Sequence, residues 1–303
     1  GRRGLSSRGS YQVQDGNQPL AGNVSFTWSA LGVWWIQWAD LVIEWIKAQE
    51  AKRAGMIDPL RQFSQKRMAQ SWRAENETPE MNLTAGDYYL ADHIDGQPID
   101  NESKRIMAVD VQRDHFWATI RAFRVDGTSR LLWAGKVLTT ENLRALQQRQ
   151  KVHDKLTFID AQYDTGASYN NCVKYGWTAL HGSGKDTFTH TVNGKTVQRF
   201  YSQVKEAAAP NGGRARYIFW SNEGIKDRLA QLRAKGSPVW EYPKDVPHEY
   251  LKQINSEIKR EMVDKTTKQI THRYVKLHRD NHMWDTEAMT TAAALMVGLL
   301  KEH

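Results

Sequence analysis

Between residues 105 and 176 the order of apolar and polar positions changes period several times. "RIMAVDVQ", "FWATIRAFRVDG" and "SRLLWAGKVL" are three apolar or alternating segments with turn residues between them, Asp126-Gly127 being the clearest. They predict a β-meander. "TTENLRALQQRQKVHD" then takes a helical period, with Thr140 expected as N-cap. "LTFIDAQY" is a short apolar strand, and "GASYNNCVKYG" a helix closing at Gly176. The series β-β-β-α-β-α points to an α/β fold, a mixed sheet with helices packed on it.

Upstream, residues 1 to about 22 are polar and are expected to be disordered, and "NVSFTWSALG" reads as a short strand and turn. A helix is predicted from about Trp35 to Ala54, where Trp38, Leu41, Val42, Trp45 and Ile46 share one face. That stripe is expected to be helix core rather than a partner surface. "DPLRQFSQKRMAQSW" is a second short helix with Pro59 at its start. The polar run from Glu75 to Lys104 reads as a linker or covering arm. The chain is thus divided into an N-terminal helical arm, residues 1–104, and a main domain, 105–303. Downstream, residues 182–247 are basic and less regular, although "IKDRLAQLRAK" is amphipathic, with Ile225, Leu229 and Leu232 expected on the sheet. "PHEYLKQINSEIKREMV" is predicted as a helix, "HRYVKLHRDNH" as a strand and loop, and the Ala-rich "NHMWDTEAMTTAAALMVGLL" as a last, amphipathic helix.

Composition narrows this picture only a little. Apolar residues make up 40% of the 303 and charged residues 25%, as in a soluble globular protein. The net charge of +8 favours a polyanionic partner such as nucleic acid. One cysteine, Cys172, excludes an internal disulfide framework and a cysteine-based zinc ribbon, and fits a reducing, intracellular setting. The start carries no apolar signal-peptide core, and the most apolar window, Leu31 to Ile46, is broken by Asp40 and Glu44, so no membrane association is expected.

The candidate chemistry lies in three aspartates. Asp110 sits within or at the end of the first strand, Asp160 ends "TFID", and Asp285 opens the last helix. Strand ends beside helix N-termini are where ligands and catalysis sit in α/β sheets. Two carboxylates about 4 Å apart repel by roughly 4 kcal/mol at an effective dielectric near 20. Such a site either retains a proton or holds a divalent ion. All-oxygen ligands favour Mg²⁺ or Mn²⁺ over zinc.

Five segments in order carry a family resemblance: "AVDVQRD" (108–114), "FIDAQYDTGASYNNCVKYG" (158–176), "EGIKDRLAQLR" (223–233), "WEYPKDVPHEYLKQINSE" (240–257) and "NHMWDTEAMTTAAA" (281–294). Over roughly residues 105–300 the chain resembles the C-terminal nuclease half of lambda-type phage terminase large subunits. The upstream "VSFTWSALGVWWIQWADLVIEWIKA" resembles the tail of that family's ATPase region. The resemblance implies a ribonuclease H-like domain that cuts concatemeric double-stranded DNA with divalent metals. It implies catalytic metal ligands at Asp110, Asp160 and Asp285. It implies a small terminase subunit, a portal protein and an ATPase module as partners, and assembly in the host-cell cytoplasm. Two Mg²⁺ or Mn²⁺ ions, with Asp110 bridging them, would suit an in-line phosphodiester displacement.

Gln112, on the same strand face as Asp110 by alternation, and Asp164, Glu257, His282 and Glu287 are candidate auxiliary groups. Lys185, Arg214, Arg216, Lys226 and Arg279 are candidate DNA contacts, interleaved with aromatics as phosphate binding allows. "HGSGKDTF" at 181–188 fails as a P-loop, since Ala179 and Asp186 stand where Gly and Ser or Thr are needed. His278 and His282 are spaced i, i+4 but lack an HExxH pattern, so zinc is not expected. The rival readings are another ribonuclease H-like nucleotidyl transferase, of integrase or resolvase type, and a non-catalytic DNA-binding assembly module.

Overall fold

The computed structural model describes residues 28–53, 58–70, 86–234, 238–263 and 270–301. The polar start expected to be disordered, and residues 23–27 of the expected strand and turn, lie outside them. The chain forms two compact units, Gly1–Arg73 (with His303) and Ala74–Glu302.

In the first unit, α1 (Trp38–Arg53) is followed by the short α2 (Asp58–Gln62), which runs into a π-helical turn at Phe63–Arg67. Ala30, Leu41, Ala48, Leu60 and Phe63 form its small core. Of the stripe expected to be core, only Leu41 is buried; Trp38, Val42, Trp45 and Ile46 are 44–54% exposed. Leu41 and Ala48 stand seven residues apart on one line of α1, and the short partner helix covers little more than that line.

The second unit is built on an eight-stranded mixed sheet. Its meander is β1 (Glu102–Val111), β2 (Phe116–Arg124) and β3 (Ser129–Val137), followed by α3 (Thr140–Arg149), β4 (Thr157–Asp160), α4 (Thr165–Tyr175) and β5 (Thr178–Ser183). A separate hairpin, β6 (Phe188–Val192) and β7 (Lys195–Arg199), precedes β8 (Lys205–Ala208), β9 (Arg214–Ser221) and α5 (Asn222–Arg233). Then come β10 (Trp240–Glu241), α6 (His248–Ile254), the two-stranded ribbon β11 (Glu257–Val263) and β12 (Ile270–Lys276), and α7 (His282–Met296). The strand order is β10-β3-β2-β1-β4-β5-β9-β8. The meander is antiparallel, and β1, β4, β5 and β9 run parallel. This α/β arrangement is compatible with a ribonuclease H-like fold.

Local chemistry differs from the sequence reading at a few points. β1 begins at Glu102, three residues ahead of the expected domain start. The N-cap of α3 is Thr139, whose hydroxyl accepts from the Asn142 N–H, rather than Thr140. The basic region 182–247 holds four strands and a helix before the β10 bridge rather than irregular chain. α6 stops at Ile254, so "EIKREMV" is strand and not helix. Residues 86–101 do form a covering arm: Tyr88 donates to the Leu131 carbonyl at 3.0 Å, and the Asp245 carboxylate accepts from the Leu90 and Ala91 N–H groups.

Alternation along β1 sets the layers. Met107, Val109 and Val111 face a core shared with Leu143 and Leu146 of α3 and with Tyr169 and Cys172 of α4. Asp110, one residue out of phase, faces the opposite layer, where α7 packs on β1 and β2, backed by α5 and α6. α7 is buried almost all round, from Met283 to Leu295, and is therefore a central helix rather than an amphipathic one. Its Ala292, Ala293 and Ala294, and Thr290 and Thr291, keep it thin enough to lie flat on the sheet.

Candidate active site

The sheet and α7 bring the three aspartates together from distant segments. Asp110 is the penultimate residue of β1, Asp160 the last of β4, and these strands are parallel neighbours. Asp285 lies in the first turn of α7. Burial raises the pKa of the Asp110 carboxyl; the His282 hydrogen bond opposes this, and the charge of Asp285 adds to it. Asp160 is raised to about 7, first by burial, then by the charge of Asp110, with Asp285 also contributing. Asp160 therefore feels Asp110 and Asp285, Asp110 feels Asp285, and both strand carboxyls hold their protons more tightly than free ones.

Asp110 has two polar neighbours. The His282 Nδ1 stands 2.7 Å from its Oδ2, and the Gln112 amide donates to the same oxygen at 2.8 Å. The His282 ring stacks on Trp117 of β2 with 8° between planes, which fixes its orientation. Trp117 is the cross-strand partner of Asp110, so the stack follows from strand register. Asp160 accepts from the Gln162 N–H at 3.3 Å.

Asp285 sits in a different environment. Its Oδ1 faces the Lys226 ammonium at 3.1 Å, and its Oδ2 accepts from the Asn281 amide at 2.7 Å. Glu257 repeats this pattern, Oε2 accepting from Lys226 at 2.7 Å and Oε1 from Asn281 at 2.7 Å. The Lys276 ammonium donates to the Asn281 oxygen at 2.8 Å, which fixes the amide so that both its N–H groups face the carboxylates. Burial alone would lower the Lys226 pKa; Asp285 and Glu257 outweigh it and leave it raised.

A family model described as "Terminase large subunit gpA, endonuclease domain" matches residues 23–303. The chain belongs to this gpA endonuclease-domain family. No curated protein and no solved structure matches it. Within the described residues no helix is long and apolar enough to cross a membrane.

In this gpA-family domain the other sequence-predicted residues fall in varied places. Gln112, His282 and Glu257 stand in or beside the aspartate group. Asp164 is the exposed N-cap of α4, accepting from the Ala167 N–H. Glu287 is fully buried and is held by Arg121 at 2.7 Å and by the Tyr250 hydroxyl. Lys185 and Arg279 are exposed, Arg214 pairs with Glu206, and Arg216 donates to the Gly176 carbonyl. Lys226 is mostly buried among the acids, 12% exposed, instead of on an open face. Asn281, Lys276 and Trp117 were not singled out from sequence. Asn281 did leave a trace, an amide four residues ahead of Asp285 at a helix start.

The carboxylate oxygens of Asp110 and Asp160, whose pKa values are raised with no lysine or arginine of the described residues against them, fit a divalent cation of the Mg²⁺ or Mn²⁺ type. Among the described residues no three His, Cys, Asp or Glu side chains form a ready-made cage. An ion would have to draw its ligands in.

Proposed function

We propose that this chain is a metal-dependent endonuclease that cleaves double-stranded DNA concatemers during phage genome packaging. The observation that carries the reading is the placement of Asp110 and Asp160 on adjacent parallel strands, with Asp285 in the first turn of the helix packed on them, in a domain of an endonuclease family. Two Mg²⁺ or Mn²⁺ ions are the cofactors we propose, Asp110 and Asp160 supplying ligands to the first and Asp285 to the second. When bound, divalent ions neutralise phosphate charge and lower the pKa of a coordinated water. The chain's own groups hold and orient. The Gln112 amide and the His282 ring fix one oxygen of Asp110, leaving the other directed by the strand. Trp117 prevents the imidazole from swinging out. Burial and the charges of Asp110 and Asp285 raise the Asp160 pKa to about 7, and a divalent cation held there would favour its carboxylate form.

The proposed surroundings are those of a packaging machine in the host-cell cytoplasm: a small terminase subunit, a portal protein and an ATPase module. The test is incubation of supercoiled plasmid with the protein and Mn²⁺ or Mg²⁺. Nicked and linear products that vanish with EDTA and with Asp110→Asn are expected. Supercoils that persist under both metals while the DNA is still retarded on a gel would sink the nuclease reading and favour a binding module. Strand joining in place of cutting would move the assignment to a nucleotidyl transferase.

A further inference from the structure

The structure divides the three aspartates into two unequal sites. Asp110 and Asp160 have no lysine or arginine against them: among the described residues, only the His282 imidazole and neutral donors face them. Asp285 and Glu257 instead form a closed ring with Lys226 and Asn281. All four carboxylate oxygens are taken: Asp285 Oδ1 and Glu257 Oε2 by the Lys226 ammonium, Asp285 Oδ2 and Glu257 Oε1 by the Asn281 amide. The ammonium sits between the two carboxylates, with one oxygen of each at 2.7 and 3.1 Å. It is tethered there by α5, whose N-terminus is fixed by the Ser221 side-chain cap on the Gly224 N–H. β11 and β12 hold the opposite wall, because their register sets Glu257 across from Lys276, the residue that orients Asn281.

Resting on the metal-dependent reading above, we propose that Lys226 is a built-in counter-cation that keeps the Asp285–Glu257 subsite closed to a second divalent ion until it is displaced. Ions would then load in order. The first is taken by Asp110 and Asp160, where it relieves repulsion and displaces nothing cationic. The second competes with an ammonium held at high effective concentration, and binds weakly for that reason. Lys226 is a positioning residue in this scheme: it touches the acids, not the scissile bond.

The test is Mn²⁺ binding to the full chain without DNA, followed by calorimetry and by disappearance of the free Mn²⁺ electron paramagnetic resonance signal. Wild type should show one tight and one weak site. Asp160→Asn should remove the tight site, and Asp285→Asn only the weak one. Lys226→Gln should tighten the weak site at least tenfold, while Lys226→Arg, which keeps the charge, should leave it weak. Two sites of equal affinity in the wild type would overturn the proposal, as would a weak site unchanged in Lys226→Gln. Should Lys226→Gln fail to fold, Lys226→Met, which removes the charge but keeps most of the apolar stem, takes its place: a weak site tightened tenfold supports the proposal and one left unchanged overturns it. Absence of any Mn²⁺ binding would refute the metal-dependent reading as well. A tight site abolished in Asp160→Asn, with no effect of Lys226→Gln, would refute the counter-cation alone.

Discussion

At the scale of single residues, the candidate site is a set of charges whose costs are met in different ways, and each way has a measurable signature. Asp160 is the clearest. Its folded pKa of about 7 lies above the value of roughly 3.9 for an unfolded carboxyl, so the folded chain keeps a proton that the unfolded chain has given up. Stability from this group is therefore full below about pH 4, falls as pH rises toward 7, and is flat above. In chelator-containing buffer at pH 8, Asp160→Asn should raise the melting temperature by roughly 5 °C or more, and at pH 4 it should change little. Added Mn²⁺ should erase the advantage, because only the carboxylate binds it. An equal gain at both pH values would mean that burial at this position does not act through charge. Glu287 meets its cost differently, with Arg121 and Tyr250 inside a fully buried pair. Glu287→Ala leaves the Arg121 guanidinium without its counter-ion and should cost about 3–5 kcal/mol in urea denaturation. Converting both partners to methionine should recover most of that stability, since the double variant buries no charge.

These residues were not equally visible in the chain. An aspartate inside "RIMAVDVQ" announces itself because nothing else after Arg105 in that run is ionised. Asp160 and Asp285 stand out in a similar way, at the edge of an apolar strand and of an Ala-rich helix. Lys226 and Asn281 carry no such contrast. Their part depends on a ring closed by segments 226, 257, 276, 281 and 285, and no local pattern encodes that closure.

At the scale of elements, the meander and the helices α3 and α4 were legible because period and turn residues agree there with the layers they enter. β11 was not, and the reason is physical. Lys259, in mid-strand, is buried and pairs with Asp227 of α5 at 2.6 Å, so a charged residue occupies an inward position and breaks the alternation that marks a strand. α7 departs from expectation in the other direction: its small residues suggested one apolar face, but the sheet on one side and α5 and α6 on the other bury it nearly all round. The placement of α5 rests on a close approach that can be probed. At Gly224 a Cβ would meet the Phe200 ring at 2.3 Å, so Gly224→Ala must push the helix or the ring aside. A destabilisation of about 1–3 kcal/mol is expected. The weak Mn²⁺ site should change with it, because Lys226 lies two residues further along the same helix. Unchanged stability and ion binding would show that α5 is held by other interactions.

At the scale of the whole molecule, the net charge of +8 coexists with a candidate site made of acids. A polyanion approaching that site needs cations elsewhere to hold its backbone, and their number can be counted from salt dependence. Removing one cation that pairs with a phosphate should reduce the slope of log K against log[salt] by about 1. Lys185 and Arg279 are exposed and suit such pairing, whereas the Lys226 charge is already engaged by Asp285 and Glu257. With duplex DNA in chelator, where cutting is suppressed, Lys185→Ala and Arg279→Ala should each weaken binding without regard to sequence and lower the slope by about 1. Lys226→Gln should leave the slope as it is. The contrast separates two kinds of basic residue that look alike in the chain: those that release counter-ions when DNA arrives and one that serves as a counter-ion itself. A fall in slope for Lys226→Gln equal to that of the surface variants would place its ammonium on a phosphate, and the closed acidic ring would then have to open when DNA binds.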